Sequence, residues 1–360
     1  MPTVTAPPDL LALDQAEMEA LMREIGEPAY RGRQLFEWVH EKGARSFDAM
    51  TNLPKALREH LAAEAQIGTL TETRRQTATD GTIKTLLQLP SGRAVEAVLI
   101  PDFKDDGSPR RMTACVSSQV GCAMSCTFCA TGLLGFQENL TAGQIAAQAQ
   151  HLDALATETY GRGLTNIVYM GMGEPLQNYP AVAKSVGLIT EGLGLSPKRV
   201  TVSTVGLARR IRQLADDQAA ERIPGFRLAV SLHAPTDAQR SAIMPVNRSE
   251  KTGLTALRNA IQHYVAITGY PVTYEYCVFA GVNDSNEDAK HLGRVSRWAA
   301  SKVNLIVYNP VEGTGFTSPP EHELERFIRA LVREGVRVTV RRSRGQDIDA
   351  ACGQLAGAET

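Results

Sequence analysis

Cys122, Cys126 and Cys129 stand at CxxxCxxC spacing in the segment Val116-Ser-Ser-Gln-Val-Gly-Cys-Ala-Met-Ser-Cys-Thr-Phe-Cys-Ala130. Their number is the informative part. Structural zinc takes four protein ligands, and iron–sulfur clusters are usually held by four thiolates. Three thiolates on a cubane leave one iron open to a small molecule. Two other readings fit part of the pattern. A thioredoxin-like pair would use Cys126 and Cys129 but has no need of a third cysteine upstream. A zinc knot would need Cys115 as its fourth ligand. The spacing favours a cluster over both.

Other chemistry-bearing residues are scattered but fall in short polar motifs. Gly171-Met-Gly-Glu-Pro175 offers Gly173 and Glu174, a carboxylate beside a residue that lets backbone approach a ligand closely. Ser203, Ser231-Leu232-His233 and Asn309 each end an apolar run. Singly these have plain structural readings: tight turns at the glycines, a hydrogen-bonded core histidine, a strand break at Asn309-Pro310. Cys115 in an apolar strand, and Cys352 among Ala350, Ala351 and Gly353, would each pass as a small core hydrophobe, as Cys277 does. Glu96 is the sole charge in residues 94–100, where desolvation would raise a carboxyl pKa.

These motifs need elements to gather them. From residue 10 to about 65 apolar positions such as Leu21, Met22, Ile25 and Leu35, Phe36, Val39 recur at helical steps, a small helical module behind a loose tail of eight residues. Residues 82–89 and 94–100, split by Pro90-Ser91-Gly92-Arg93, read as a β-hairpin. Strand signals then recur near 112–118, 165–170, 199–204, 226–232, 272–279 and 303–308 with helical stretches between them. Six such repeats imply a parallel sheet, too short for a closed eight-stranded barrel, and so an open partial barrel. A last strand-like run at 336–342 leads to the tail. The expected division is 1–80 helical accessory domain, 81–111 hairpin linker, 112–342 α/β partial barrel and 343–360 tail. All five polar motifs fall at C-terminal strand ends, where parallel barrels build their sites.

The chain of 360 residues is 43% hydrophobic with a net charge of −1, ordinary for a globular protein and no advertisement of nucleic-acid binding. Local basic clusters exist, chiefly Lys198, Arg199, Arg209, Arg210 and Arg212, and Arg337, Arg341, Arg342 and Arg344. Each cluster alone reads as a solvated face. Neither a membrane span nor a secretory signal is evident, so the cytosol is the expected compartment. Four of the six cysteines crowd into residues 115–129, which suits ligand and redox chemistry better than a disulfide framework.

The cysteine triplet resembles the radical S-adenosylmethionine (SAM) superfamily. Together with Gly-Met-Gly-Glu-Pro, Arg-Val-Thr-Val-Ser-Thr, Ser-Leu-His-Ala-Pro and Arg344-Gly-Gln-Asp-Ile-Asp-Ala-Ala-Cys-Gly-Gln-Leu355, it resembles the adenine carbon-2 methyltransferases of 23S ribosomal RNA, over essentially the whole chain. That resemblance implies a [4Fe-4S] cluster on Cys122, Cys126 and Cys129, and SAM contacts at Gly173, Glu174, Ser203, Ser231, Leu232, His233 and Asn309. It also implies Cys352 as methyl carrier, Cys115 as its resolving partner and Glu96 as base. One SAM would methylate Cys352, and a second, cleaved reductively, would give a 5′-deoxyadenosyl radical that activates the thioether methyl. Attack by Cys115 would then release methylated RNA and leave a disulfide. Implied partners are 23S rRNA, an adenine beside the anticodon of some tRNAs, and a reductant such as flavodoxin or ferredoxin. A sister enzyme acting on carbon 8, and a zinc-stabilised RNA-binding protein, remain the alternatives.

Overall fold

A computed structural model describes residues 7–249 and 253–356. Most of the expected N-terminal tail and the last four residues lie outside that range. Pro7 and Pro8, expected to be loose, are held: Gln66 donates to both carbonyls, from Nε2 to Pro7 at 3.1 Å and from its backbone N–H to Pro8 at 3.0 Å.

The helical module is built as its periodicity requires. Helices Gln15–Glu24, Tyr30–Phe36 and Lys55–Glu64 enclose Met18, Met22, Leu35, Phe36, Leu57 and Leu61 in a core of their own. Asp14 opens the first helix with a reciprocal capping box to Glu17. Gly32 lets the first two helices touch: a Cβ there would sit 2.4 Å from the backbone nitrogen of Glu19. The module docks on the helices Ala142–Tyr160 and Tyr179–Gly192 through Ala147, through Gln150 Nε2 to the Val39 carbonyl at 3.1 Å, and through the Lys184–Glu17 ion pair at 2.6 Å.

The sheet is larger than the sequence suggests. Strands β1 (Thr71–Thr77), β2 (Ile83–Gln88), β3 (Ala94–Phe103) and β4 (Pro109–Cys115) form an antiparallel meander. The sheet continues in parallel through β7 (Asn166–Tyr169), β8 (Val200–Thr204), β9 (Arg227–Ser231), β10 (Val272–Val278), β11 (Ser301–Val307) and β12 (Val338–Arg341). Short β5 (Gln119–Gly121) and β6 (Phe136–Asn139) pair separately around the cysteine loop. The hairpin, β2 and β3, is therefore an internal part of one ten-stranded sheet, flanked by edge strand β1 and joined to the rest by β3–β4 pairing. β1 lies in the tract read as helical module. Its sequence, Thr-Glu-Thr-Arg-Arg-Gln-Thr, has the polarity of an exposed edge strand and no apolar alternation to signal it.

The sheet curls. β12 is five strand positions from β7, roughly 24 Å in a flat sheet at 4.8 Å per strand. Yet Arg341 Nη1, at the end of β12, reaches Met170 Sδ, just past β7, at 3.7 Å. The open side of this partial barrel is bridged by the C-terminal tail. Gly345 N–H donates to Asp80, Thr79 N–H to Asp347, and Lys84 Nζ to the Asp349 carbonyl. Ala130 N–H donates to the Gly353 carbonyl at 2.8 Å.

Candidate active site

At the C-terminal ends of the parallel strands lies a cavity with roughly 1050 Å³ of atom-free space, partly open to solvent. Cys122, Cys126 and Cys129 share its wall with Gly173, Glu174, Ser203, Ser231, His233 and Cys352. The cysteine loop is shaped by backbone. Gly121 has a positive φ, and a Cβ there would lie 1.8 Å from the Gly135 carbonyl oxygen. Cys129 N–H closes a turn onto the Cys126 carbonyl at 3.2 Å. Burial pushes all three thiols up, Cys122 to about 12, and charge on neighbouring cysteines, Cys352 in the case of Cys129, adds to it. Such sulfurs are thiolates only when a metal centre supplies the compensating charge.

Cys115 lines a separate, smaller cavity from the one that Cys122, Cys126 and Cys129 share, which disfavours a zinc knot with Cys115 as fourth ligand. Three thiols around one cavity suit an iron–sulfur cluster that they would hold.

The neighbouring motifs are fixed by hydrogen bonds. Gly173 adopts φ +97°, and a Cβ would meet Gln119 Cβ at 2.5 Å, so this turn lies directly on the segment leading into the cysteine loop. Glu174 N–H donates to Gln119 Oε1 at 2.8 Å. The Glu174 carboxylate accepts from Thr204 Oγ1 at 2.6 Å, Val205 N–H at 2.8 Å and Leu176 N–H at 2.9 Å. Burial raises its pKa to about 7 against those donors.

His233 is both a hydrogen-bonded residue and a wall residue. It sits at φ +53°, a conformation costly for a non-glycine residue. It is held there by Asn283 Nδ2 on its carbonyl and by Cys277 N–H donating to Nδ1 at 3.0 Å. Nδ1 is thus the acceptor, leaving Nε2–H as a donor. Burial drives the ring's pKa down to about 3 and keeps it neutral.

Cys352 occupies the wall between two spaces. It lines the main cavity with the cysteine triplet and the small cavity with Cys115, Met170, Ile306 and Arg341. Burial, reinforced by charge on Cys352 and opposed by Arg341, pushes Cys115 up to about 12.

Three expected site residues lie outside the lining of the main cavity. Leu232, one residue past β9, is wholly buried in the core. Asn309 does not line the main cavity; its Nδ2 donates to the Cys352 carbonyl at 3.3 Å and its Oδ1 accepts from Gln346 at 2.8 Å, so it anchors the tail. Glu96 lines neither cavity. It is buried in an ion pair with Lys84 at 2.9 Å, and its Oε2 accepts from Ala356 N–H at 2.8 Å. It is therefore not a lone charge, as its own strand suggested, because Lys84 arrives from β2.

Residues that sequence reading passed over also line the main cavity, namely Thr204, Glu275 and Tyr308, and Cys277, read as a core residue, belongs both to the core and to this wall. Glu275 carried a signal, as the lone acid in Val272–Val278. Cys277 carried none that distinguishes a wall from a core.

An open parallel sheet with three cysteines above its strand ends defines a radical SAM protein, and residues 116–292 match the Radical SAM superfamily. Residues 8–67 match the ribosomal RNA large subunit methyltransferase N-terminal domain. The chain is 56% identical to the probable dual-specificity RNA methyltransferase RlmN of Salinibacter ruber, covering 97% of this chain and 94% of that one. It is 43% identical to the dual-specificity RNA methyltransferase RlmN of Anaeromyxobacter dehalogenans, covering 97% and 92%. A radical SAM methyltransferase crystal structure from Sphaerobacter thermophilus superposes with a TM-score of 0.90 at 44% identity, covering 98% of this chain and all of that one. The chain belongs to the dual-specificity RNA methyltransferase RlmN family. It is a SAM-dependent enzyme of the radical type, whose cofactors are a [4Fe-4S] cluster and SAM.

Proposed function

We propose that the protein methylates carbon 2 of an adenine in 23S rRNA, and of an adenine beside the anticodon in some tRNAs, through a methyl group carried on Cys352. The observation that carries this is the position of Cys352 between two cavities. One side faces the three cysteines and the SAM-binding motifs, the other faces Cys115. A sulfur so placed can collect a methyl group on one side and be relieved of its product from the other.

A cluster bound at this cavity together with SAM would supply reductive radical chemistry, which polar methyl transfer cannot replace at an electron-poor ring carbon. The protein's own residues do the rest. Cys122, Cys126 and Cys129 would hold the cluster. Glu174, Ser203, Ser231, the Nε2–H of His233 and the backbone at Gly173 would hold SAM. Cys352 acts as nucleophile and carrier, and Cys115 as the thiolate that forms a disulfide with it. An external reductant, a flavodoxin or ferredoxin, completes the cycle. Glu96 is proposed to accept the ring proton, which requires Ala356 N–H to give up its carboxylate. The substrate adenine must be unstacked to reach so enclosed a site, and the cytosol, where such RNAs reside, is the compartment proposed.

The test is nucleoside mass spectrometry and chromatography of a 23S rRNA fragment treated with reconstituted enzyme, SAM and reductant. 2-Methyladenosine is expected. 8-Methyladenosine would reassign the enzyme to the sister activity, and an unmodified fragment beside intact SAM cleavage would contradict the substrate.

A further inference from the structure

Arg341, the last residue of β12, stands where the two redox cysteines meet. It lines the small cavity with Cys115 and Cys352, and its Nη1 lies 3.7 Å from Met170 Sδ. Among the described residues its guanidinium makes no ion pair. The other charges around Cys115 are already engaged. Arg344, in the same cavity, lies 3.8 Å from Asp102. On the adjoining strand β3, Glu96 is neutralised by Lys84 at 2.9 Å. Glu275, across the barrel on β10, attracts Arg341 but accepts from Asn304 Nδ2 at 2.7 Å. From β7, the strand paired with Cys115, the neighbour is the uncharged Val168, and just past it Met170 lines the same cavity.

We propose that Arg341 is a positioning residue for the release step, carrying the negative charge of Cys115 once Cys352 has become a thioether, and thereby setting the order in which the two cysteines act. The inference rests on the two-cysteine reading above. One cation serves two sulfurs. Negative charge on Cys352 attracts the guanidinium and opposes charge on Cys115. Alkylation makes Cys352 neutral, and the same guanidinium then favours the Cys115 thiolate. Around Cys115, burial and then charge on Cys352 oppose its ionisation, while Arg341 and a backbone hydrogen bond from Met170 promote it. In the release step the Cys115 sulfur attacks the Cys352 sulfur. An S–S bond forms and the S–CH2 bond to the adenine breaks. The electron pair passes to the methylene carbon, which takes a proton to become the methyl group. The sulfurs are oxidised to a disulfide and the carbon is reduced.

The experiment uses anaerobically reconstituted holoenzyme and an RNA fragment carrying the target adenine, following the covalent protein–RNA species on denaturing gels across pH. Arg341→Met should form that species but resolve it on the order of tenfold or more slowly near neutral pH, as for one unit of thiol pKa, recovering as pH rises. Arg341→Lys, which keeps the charge, should resolve it nearly as fast as wild type. Cys115→Ala, run in parallel, should stall at every pH. If Arg341→Met resolves at the wild-type rate with the wild-type pH profile while Cys115→Ala stalls, the role of Arg341 is overturned and the two-cysteine reading stands. If Cys115→Ala itself turns over, both fall. Should Arg341→Met fail to load Cys352, Arg341→Lys decides: a stall like that of Cys115→Ala would overturn the proposal.

Discussion

At the scale of single residues, the site works by giving each polar group one fixed role. Glu174 is held by three donors and His233 by its Nδ1 acceptor bond, so neither needs to rearrange as a ligand enters. Glu96 is the residue whose role most needs testing, since its carboxylate is shared between Lys84 and the tail. Glu96→Gln should leave Cys352 methylation intact and slow product formation after RNA attachment, read as covalent adduct on denaturing gels. Undiminished turnover would leave Glu96 as a tail anchor only. The cysteine triplet was legible because its spacing is local and its chemistry is rare. Arg341 was not, because it sits in a run with Arg337, Arg342 and Arg344, and only the curl of the sheet separates it from the exposed Arg337 and Arg342. The packing of Asn309 and Leu232 was hidden for a related reason. A motif in sequence does not say which of its side chains the strand turns to the cavity.

At the scale of elements, close backbone contacts carry the architecture. The first two helices of the module meet over Gly32, so Gly32→Ala would force a methyl against Glu19 backbone. The expected cost is about 1–3 kcal/mol of overpacking, seen as a lowered melting temperature. An unchanged melting temperature would mean the helices part freely. His40, buried in the same module with Nε2 3.0 Å from the Leu13 carbonyl, has its pKa lowered by burial to about 4. The unfolded chain therefore binds its proton first as pH falls from about 6.5, and stability is lost between there and pH 4 at about 1.4 kcal/mol per pH unit. His40→Gln should flatten that acid limb in thermal unfolding; an identical limb would show that other groups govern it. The parallel strands could be read from their apolar runs, since strands buried on both faces are nearly continuous in hydrophobicity. The polar edge strand β1 could not.

At the scale of the molecule, a ten-stranded sheet curls until its last strand, β12, approaches its fifth, β7, and the tail closes the gap while setting Cys352 between two cavities. Tail and barrel meet through bonds spanning more than two hundred residues of sequence, such as Lys84 to Asp349 and Ala356 to Glu96. No local pattern encodes such contacts, so the six-repeat pattern predicted a partial barrel without showing what bridges it. Replacing any one of Cys122, Cys126 or Cys129 with alanine should abolish the cluster, with iron content and SAM cleavage lost together; near-native iron in all three variants would contradict the assignment. The central claim, that Cys352 carries the methyl group and Cys115 releases it, is tested most directly in Cys115→Ala. With SAM, reductant and an adenine-containing RNA fragment, this variant should accumulate a protein–RNA adduct that survives denaturant, maps by peptide mass spectrometry to Cys352, and disappears when Cys352 is also replaced. Free turnover of Cys115→Ala with no adduct would contradict it.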